Sequence, residues 1–389
     1  MPRRKRSAWY LCKGPFSLED ENVMKTIKRT ALGGLAVVSA GILLAGCGAA
    51  PEESGGSGSG ANGDDAPDFL PCIVSDFGGF DDKSFNQLSL EGVEEAANEL
   101  GVEFKDVESN AETDYEPNLN SLVAQGCDAI TSVGFALAPA TVDAANANPE
   151  VDFILIDDLG DTDFDGTTDA ETIKPVLYDT AQAAFLAGYL SAGYSETDTV
   201  GTFGGQEFPT VTIFMDGFLQ GVEHYNEENG ADVEVVGWDG STGSFTGGFS
   251  AGPEAKTVAQ NIIDQGVDVL MPVGGPIYQS ALQAIKESDR EIALIGTDAD
   301  LFATDSDTED FVLTSVLKNM HLSAYEAIMA SANDEFDTEP YIGTLENEGV
   351  GLADLHNFAE KVDGELMAEV EALQEAIIAG DITVESYLD

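Results

Sequence analysis

From about residue 70 onward the chain alternates short apolar runs with longer stretches whose apolar residues recur at helical spacing. This is the pattern of a parallel sheet covered by helices on both faces. The apolar runs predict strands over residues 72–75, 103–107, 129–133, 153–157, 200–203, 233–237, 267–273, 292–297 and 312–315. Between them, amphipathic stretches such as 84–100, 118–125, 181–193, 216–229 and 255–265 predict helices, long enough to serve as right-handed crossovers. So many strands exceed one small sheet. The reading is α/β with two doubly wound, Rossmann-like lobes, whose strands bring their carboxyl ends to a shared cleft where a ligand would sit.

Residues with chemistry to offer fall at or just after these strands: Asp76, Gly134 with Phe135, Asp157, Gly204 with Gly205, Gly274 with Gly275, Asp298 and Lys318. Any parallel sheet places Gly and Asp in its loops for turns and caps, so the series carries the inference and no single member does.

Composition changes the picture of the environment. The 389 residues hold 72 acidic and 16 basic side chains, a formal net charge of -56, with an ordinary 43% hydrophobic content. Eight of the basic residues precede Cys47, which leaves 8 against 69 acidic ones in the remainder. The acids are scattered through periodic segments, unlike an interaction tail. Salt would relieve such self-repulsion, so a halophilic setting is expected. Nucleic-acid binding is not, because it needs clustered Lys and Arg.

The first 46 residues read as a leader. Residues 1–23 fit neither a signal nor a fold, and Met24 could be the true start. Lys25, Lys28 and Arg29 then precede an apolar run over 31–45, followed by Leu44-Ala45-Gly46-Cys47, which resembles a lipobox. The run is short of the ~20 apolar residues that a membrane span needs. Cys47 is therefore the expected lipidated residue, and the Gly-, Ser- and acid-rich stretch 47–67 a flexible tether, placing the protein on the outer face of the cell membrane.

The segment from Val74 to Gln87, read as Val-Ser-Asp-Phe-Gly-Gly-Phe-Asp-Asp-Lys-Ser-Phe-Asn-Gln, resembles the entry motif of the basic membrane protein, or purine nucleoside receptor, lipoproteins. The resemblance continues through Val133-Gly134-Phe135, the run ending at Asp157, Phe185-Leu186-Ala187-Gly188-Tyr189, the run 295–300 and Thr314-Ser315-Val316-Leu317-Lys318. It implies a type I periplasmic-binding fold, two lobes joined by three crossings. The lobes are expected over 68–178 with 310–338, and over 179–309 with 339–389. It also implies a monomer that binds a purine nucleoside and hands it to the permease and ATPase subunits of an ABC importer. Departures occur at residues 272–277, at Ala299 and Leu301, and in an acidic insertion over 158–171 that lengthens a rim loop.

A purine has a flat face and polar edges, so its receptor needs aromatic platforms and amide or carboxylate groups. Phe85 is expected to stack on the base, or else to face the core. Asn86 would read the edge with Asp76 or Asp157, or else serve the helix entry. Phe214 is the candidate for a second platform, with Phe218 and Phe245 as rivals; Phe135 and Gly274 complete the expected wall. Asp298 and Lys318 suit ribose hydroxyls, since charge-assisted hydrogen bonds are about twice as strong as neutral ones. Lys83 is expected to neutralise Asp81, Asp82 or the helix surroundings. Cys72 and Cys127 start neighbouring strands, either bridged outside the cell or both free and buried. The three histidines lie far apart, no Cys or His spacing suits zinc, and no glycine-rich loop carries a phosphate-cradling lysine. No catalysis, metal or cofactor is expected; a sugar or other small polar metabolite, or sensing without transport, is the alternative reading.

Overall fold

A computed structural model describes residues 67–388. The leader, Cys47 and the tether up to residue 66 lie outside the described residues. The chain begins β1 (Pro71–Phe77), α1 (Phe85–Leu100), β2 (Lys105–Ser109), α2 (Tyr115–Ala124), β3 (Ala129–Val133), α3 (Ala138–Ala147), β4 (Asp152–Ile156) and β5 (Ile173–Tyr178). It continues through α4 (Thr180–Tyr194), β6 (Thr199–Gly204), α5 (Pro209–Asn229), β7 (Glu234–Val236), α6 (Pro253–Ile263), β8 (Val269–Val273), α7 (Ile277–Glu287) and β9 (Ala293–Asp298). The last elements are α8 (Leu301–Thr304), β10 (Val312–Lys318), α9 (Met320–Ala332), β11 (Tyr341–Gly343), β12 (Val350–Leu352) and α10 (Gly364–Ile378).

The strands form two sheets, ordered β11-β5-β4-β3-β1-β2 and β12-β10-β9-β8-β6-β7. The orders correspond position by position, so β1, β3 and β4 of the first lobe match β6, β8 and β9 of the second. Pairing is parallel throughout except between β10 and β12. Alternate residues of β1 serve different faces: Cys72 and Val74 pack with Leu119 of α2 and Val142 of α3, while Ile73 packs with Val93 and Ala96 of α1. Phe203, Leu270 and Leu294 do the same in the second lobe against Ala259 of α6 and Ala281 of α7. Burial on both faces explains why these strands read as continuous apolar runs.

The expected lobe boundaries need correction. Residues 310–318 were expected in the first lobe, yet β10 pairs with β9 in the second sheet. Residues 339–343 were expected in the second, yet β11 pairs with β5 in the first. The chain changes sheets after Tyr178, after Lys318 and between β11 and β12. Each strand finishes in its own sheet before the helix that follows crosses over, so α9 packs on α1 and α4 on α5. A side chain on Gly188 would overlap the backbone carbonyl of Phe218, and one on Gly221 that of Phe185. The two helices thus touch backbone to backbone, which sets the position of α5 and its Phe214.

β5, β11 and β12 escape the apolar pattern. β5 contains Lys174 and Pro175 and follows the acidic insertion, while the other two have three residues each, too few for a period to register. The insertion folds as a loop between β4 and β5 in which the carboxylates of Asp161, Asp163 and Asp169 gather within 4.8 Å of one another. Cys72 and Cys127 are bridged, with Cα atoms 5.9 Å apart.

Candidate ligand-binding cleft

The entry motif builds one wall of a cleft between the lobes. β1 delivers Asp76, and the chain turns through Gly78 and Gly79 to reach α1 at Phe85. The turn is organised by Asp82, whose carboxylate accepts from the backbone N–H groups of Ser84 (3.0 Å), Asn86 (2.9 Å) and Gln87 (3.1 Å). It caps the orphan donors of the helix start and fixes the side chains that follow. Asn86 Nδ2 donates to Asp76 Oδ1 at 2.8 Å and to Asp82 Oδ2 at 3.1 Å. Turning the amide over would set its oxygen against two carboxylates, so this orientation is the favoured one. It leaves Asn86 Oδ1 buried and without a partner.

The matching turns of the two lobes share a backbone feature. Asp157 after β4 and Asp298 at the end of β9 both hold φ at 70°, a left-handed conformation unusual outside glycine. Gly134 and Gly274, after β3 and β8, also have positive φ, at 105° and 133°. A side chain on Gly274 would press on the ring of Phe249, and one on Gly134 on the carboxylate of Asp76. Strained turns of this kind recur where a surrounding structure over-determines them, often at ligand sites.

Lys318 ends β10 with its side chain only 3% exposed. Its Nζ lies 2.5 Å from Asp157 Oδ2 and 3.9 Å from Asp298 Oδ1. The ion pair in contact is thus with Asp157 of the first lobe, and Asp298 stands farther off. The rings of Phe85, Tyr178 and Phe214 lie 5.2 to 5.4 Å from the same nitrogen. Burial pushes Asp76 up to about 7, reinforced by the charges of Asp82, Asp157 and Asp298 and opposed by the Asn86 hydrogen bond. Burial pushes Asp298 up to about 6, with Lys318 opposing.

Asp76, Phe85, Asn86, Phe135, Asp157, Phe214, Gly274, Asp298 and Lys318 all line this one cavity, about 580 Å³ including its open mouth. Phe218 is instead fully buried in the core, and Phe245 packs against Trp238 with ring centroids 6.1 Å apart; neither lines the cavity. Sequence reasoning missed Asp82 and Phe249 as lining residues. Asp82 sits inside the entry motif, and Phe249 in a glycine-rich aromatic stretch whose position no periodicity reveals. Phe135 meets Phe208 at 4.4 Å between centroids and Phe249 at 6.4 Å, so aromatic rings of both lobes close one side of the cleft.

Comparison with known proteins agrees with this geometry. The chain is 26% identical to the CD4+ T-cell-stimulating antigen of Listeria innocua over 92% of its length and 98% of that protein's. It is 26% identical to the ABC transporter nucleoside-binding protein BmpA of Lactococcus lactis, over 84% and 92% of the two chains. Among solved structures, an ABC transporter solute-binding protein from Aeropyrum pernix superposes with a TM-score of 0.72 at 25% identity, covering 82% of this chain and 94% of the other. Family and fold are those of solute-binding proteins, which are not enzymes. The model of the Bmp family, PnrA-like ABC transporter substrate-binding proteins, matches residues 71–386, and the chain belongs to that family.

Proposed function

We propose that this protein captures a purine nucleoside between its lobes and presents it to the membrane subunits of an ABC importer. The observation that carries the reading is Asn86, which lines the cavity with its amide donors engaged by carboxylates and its buried oxygen unpaired. Leaving such a group unmatched costs about 1–3 kcal/mol, and an N–H on the edge of a base would relieve it. Phe85 from the first lobe and Phe214 from the second offer their rings to the two faces of that base. Asp157, Asp298 and Lys318 then suit ribose hydroxyls. Four carboxylates against one ammonium on the wall favour a ligand rich in donors, and the name of the Lactococcus relative points the same way.

Cys47, lipidated, would hold the protein on the outer face of the membrane as a monomer. The lobes would close about the three crossings, as ligand contacts made only in the closed form shift an existing equilibrium. Excess acid fits a salty medium; unfolding midpoints unchanged between ~0.1 M and ~1 M salt, where the Debye length falls from ~10 to ~3 Å, would speak against that part.

The test is calorimetric titration of the purified protein in molar salt with guanosine, inosine, adenosine, cytidine and ribose. Purine nucleosides should bind and ribose alone should not. A folded sample that binds ribose or another sugar while ignoring every nucleoside moves the assignment to the alternative ligand class.

A further inference from the structure

Lys83 does not neutralise Asp81 or Asp82 as the sequence led one to expect. Its backbone is left-handed, with φ at 58°, and its Nζ crosses to the second lobe, 3.1 Å from Asp305 Oδ1. Asp305 follows α8 with its side chain 7% exposed, and it also accepts from the hydroxyl of Tyr278 at 2.8 Å and the N–H of Asp307 at 3.2 Å. The next residue, Ser84, crosses too: its hydroxyl donates to the carbonyl of Thr297 in β9 at 3.3 Å. Phe85 and Asn86 follow directly and line the cavity, whereas Lys83 and Asp305 do not. Asp82 ties the segment together through its bonds to Ser84, Asn86 and Gln87. One short rigid stretch therefore carries both a wall of the ligand cavity and the contacts that join the lobes.

We infer that Lys83 and Asp305 are positioning residues that form a latch, an ion pair made as the lobes close, which sets how long a ligand stays enclosed without touching it. The inference rests on the reading of the cleft as a site that closes on its ligand. Opening would return the half-exposed ammonium to water and leave Asp305 held by Tyr278 and Asp307, so each lobe keeps its own fold when the latch is released. Closure brings Lys83 to a carboxylate already ordered by two donors, which limits the ordering cost that weakens most exposed ion pairs.

The experiment compares the full-length protein with Lys83→Gln, Asp305→Asn and the double variant in molar salt, by stopped-flow binding and release of guanosine and by small-angle scattering without ligand. Loss of a hydrogen-bonded charge pair acts mainly on dissociation, so Lys83→Gln should speed release by about tenfold and leave the association rate within about threefold. The double variant should release no faster than the worse single one, because both remove the same interaction. Without ligand, Lys83→Gln should shift the scattering profile toward a larger radius of gyration. Unchanged release in Lys83→Gln, or fully additive effects in the double variant, overturns the latch. If the wild type binds no nucleoside, the proposed function fails separately and scattering alone decides: identical profiles for wild type and Lys83→Gln overturn the latch.

Discussion

The ammonium of Lys318 and the carboxylate of Asp157 join the two lobes at the floor of the cleft, Nζ to Oδ2 at 2.5 Å. The lysine ends a strand of the second sheet and the aspartate follows a strand of the first. Both are buried, and Asp298 shares the site at 3.9 Å. One cation thus compensates two buried carboxylates.

Replacing Lys318 by Met should cost about 3–5 kcal/mol of stability, since breaking a buried pair leaves charge uncompensated. The loss should shrink as pH falls, because protonating Asp298, already pushed up to about 6, removes one of the two stranded charges. Denaturant midpoints of wild type and Lys318→Met at acidic and neutral pH check both statements; a loss independent of pH would falsify the second.

Asp76 should give stability and affinity opposite responses to pH. Its carboxyl is pushed up to about 7 in the folded protein, above its unfolded value, so the folded state binds more protons in the window between the two. Its contribution to stability is therefore full below the unfolded value and is lost as pH rises toward 7. Asp76→Asn should flatten that part of the stability curve. If a base N–H donates to the ionised form, guanosine affinity should instead fall as pH drops below 7, by up to about tenfold per unit. Titrations across neutral pH with wild type and Asp76→Asn read both slopes.

The two platforms should separate by their burial. Phe85→Ala should weaken purine nucleoside binding by about 1–3 kcal/mol with a small change in unfolding midpoint, because the ring is partly exposed in the cleft. Phe214 is 2% exposed, so Phe214→Ala should weaken binding and also cost about 3–5 kcal/mol of stability through the cavity it leaves. Calorimetry of binding and of unfolding on the same samples distinguishes them.

The bridge between Cys72 and Cys127 closes a separation of 55 residues. Its loss in a Cys72→Ala/Cys127→Ala variant should lower the free energy of unfolding by about 2–4 kcal/mol, through the greater freedom of the unfolded chain. Nucleoside affinity should be retained, since neither cysteine lines the cavity. A variant of unchanged stability would show that the thiols are reduced in the native protein.

Much of the cleft was legible because of how a doubly wound sheet works. Strands buried on both faces write apolar runs, and the residues just beyond those runs lie at one edge of the sheet. Asp76, Asp157 and Asp298 could be placed that way, and Phe85 and Asn86 through the entry motif. β5 could not, since Lys174 and Pro175 interrupt its pattern. Phe249 was hidden as well: a loop has no period, so nothing local says which way its aromatic residue turns.

The sequence by itself determined the elements that carry a clear period, the strand-end positions of the site residues and the acid excess, because periodicity, turn chemistry and charge are properties of neighbours along the chain. Only the tertiary structure decided which groups meet. Lys318 finds Asp157 across 161 residues, and Lys83 passes over its acidic neighbours for Asp305. Those pairings depend on where the chain changes sheets, after Tyr178 and after Lys318, and that point is set by the packing of α4 on α5 and of α9 on α1, a matter of long-range fit that no local pattern records.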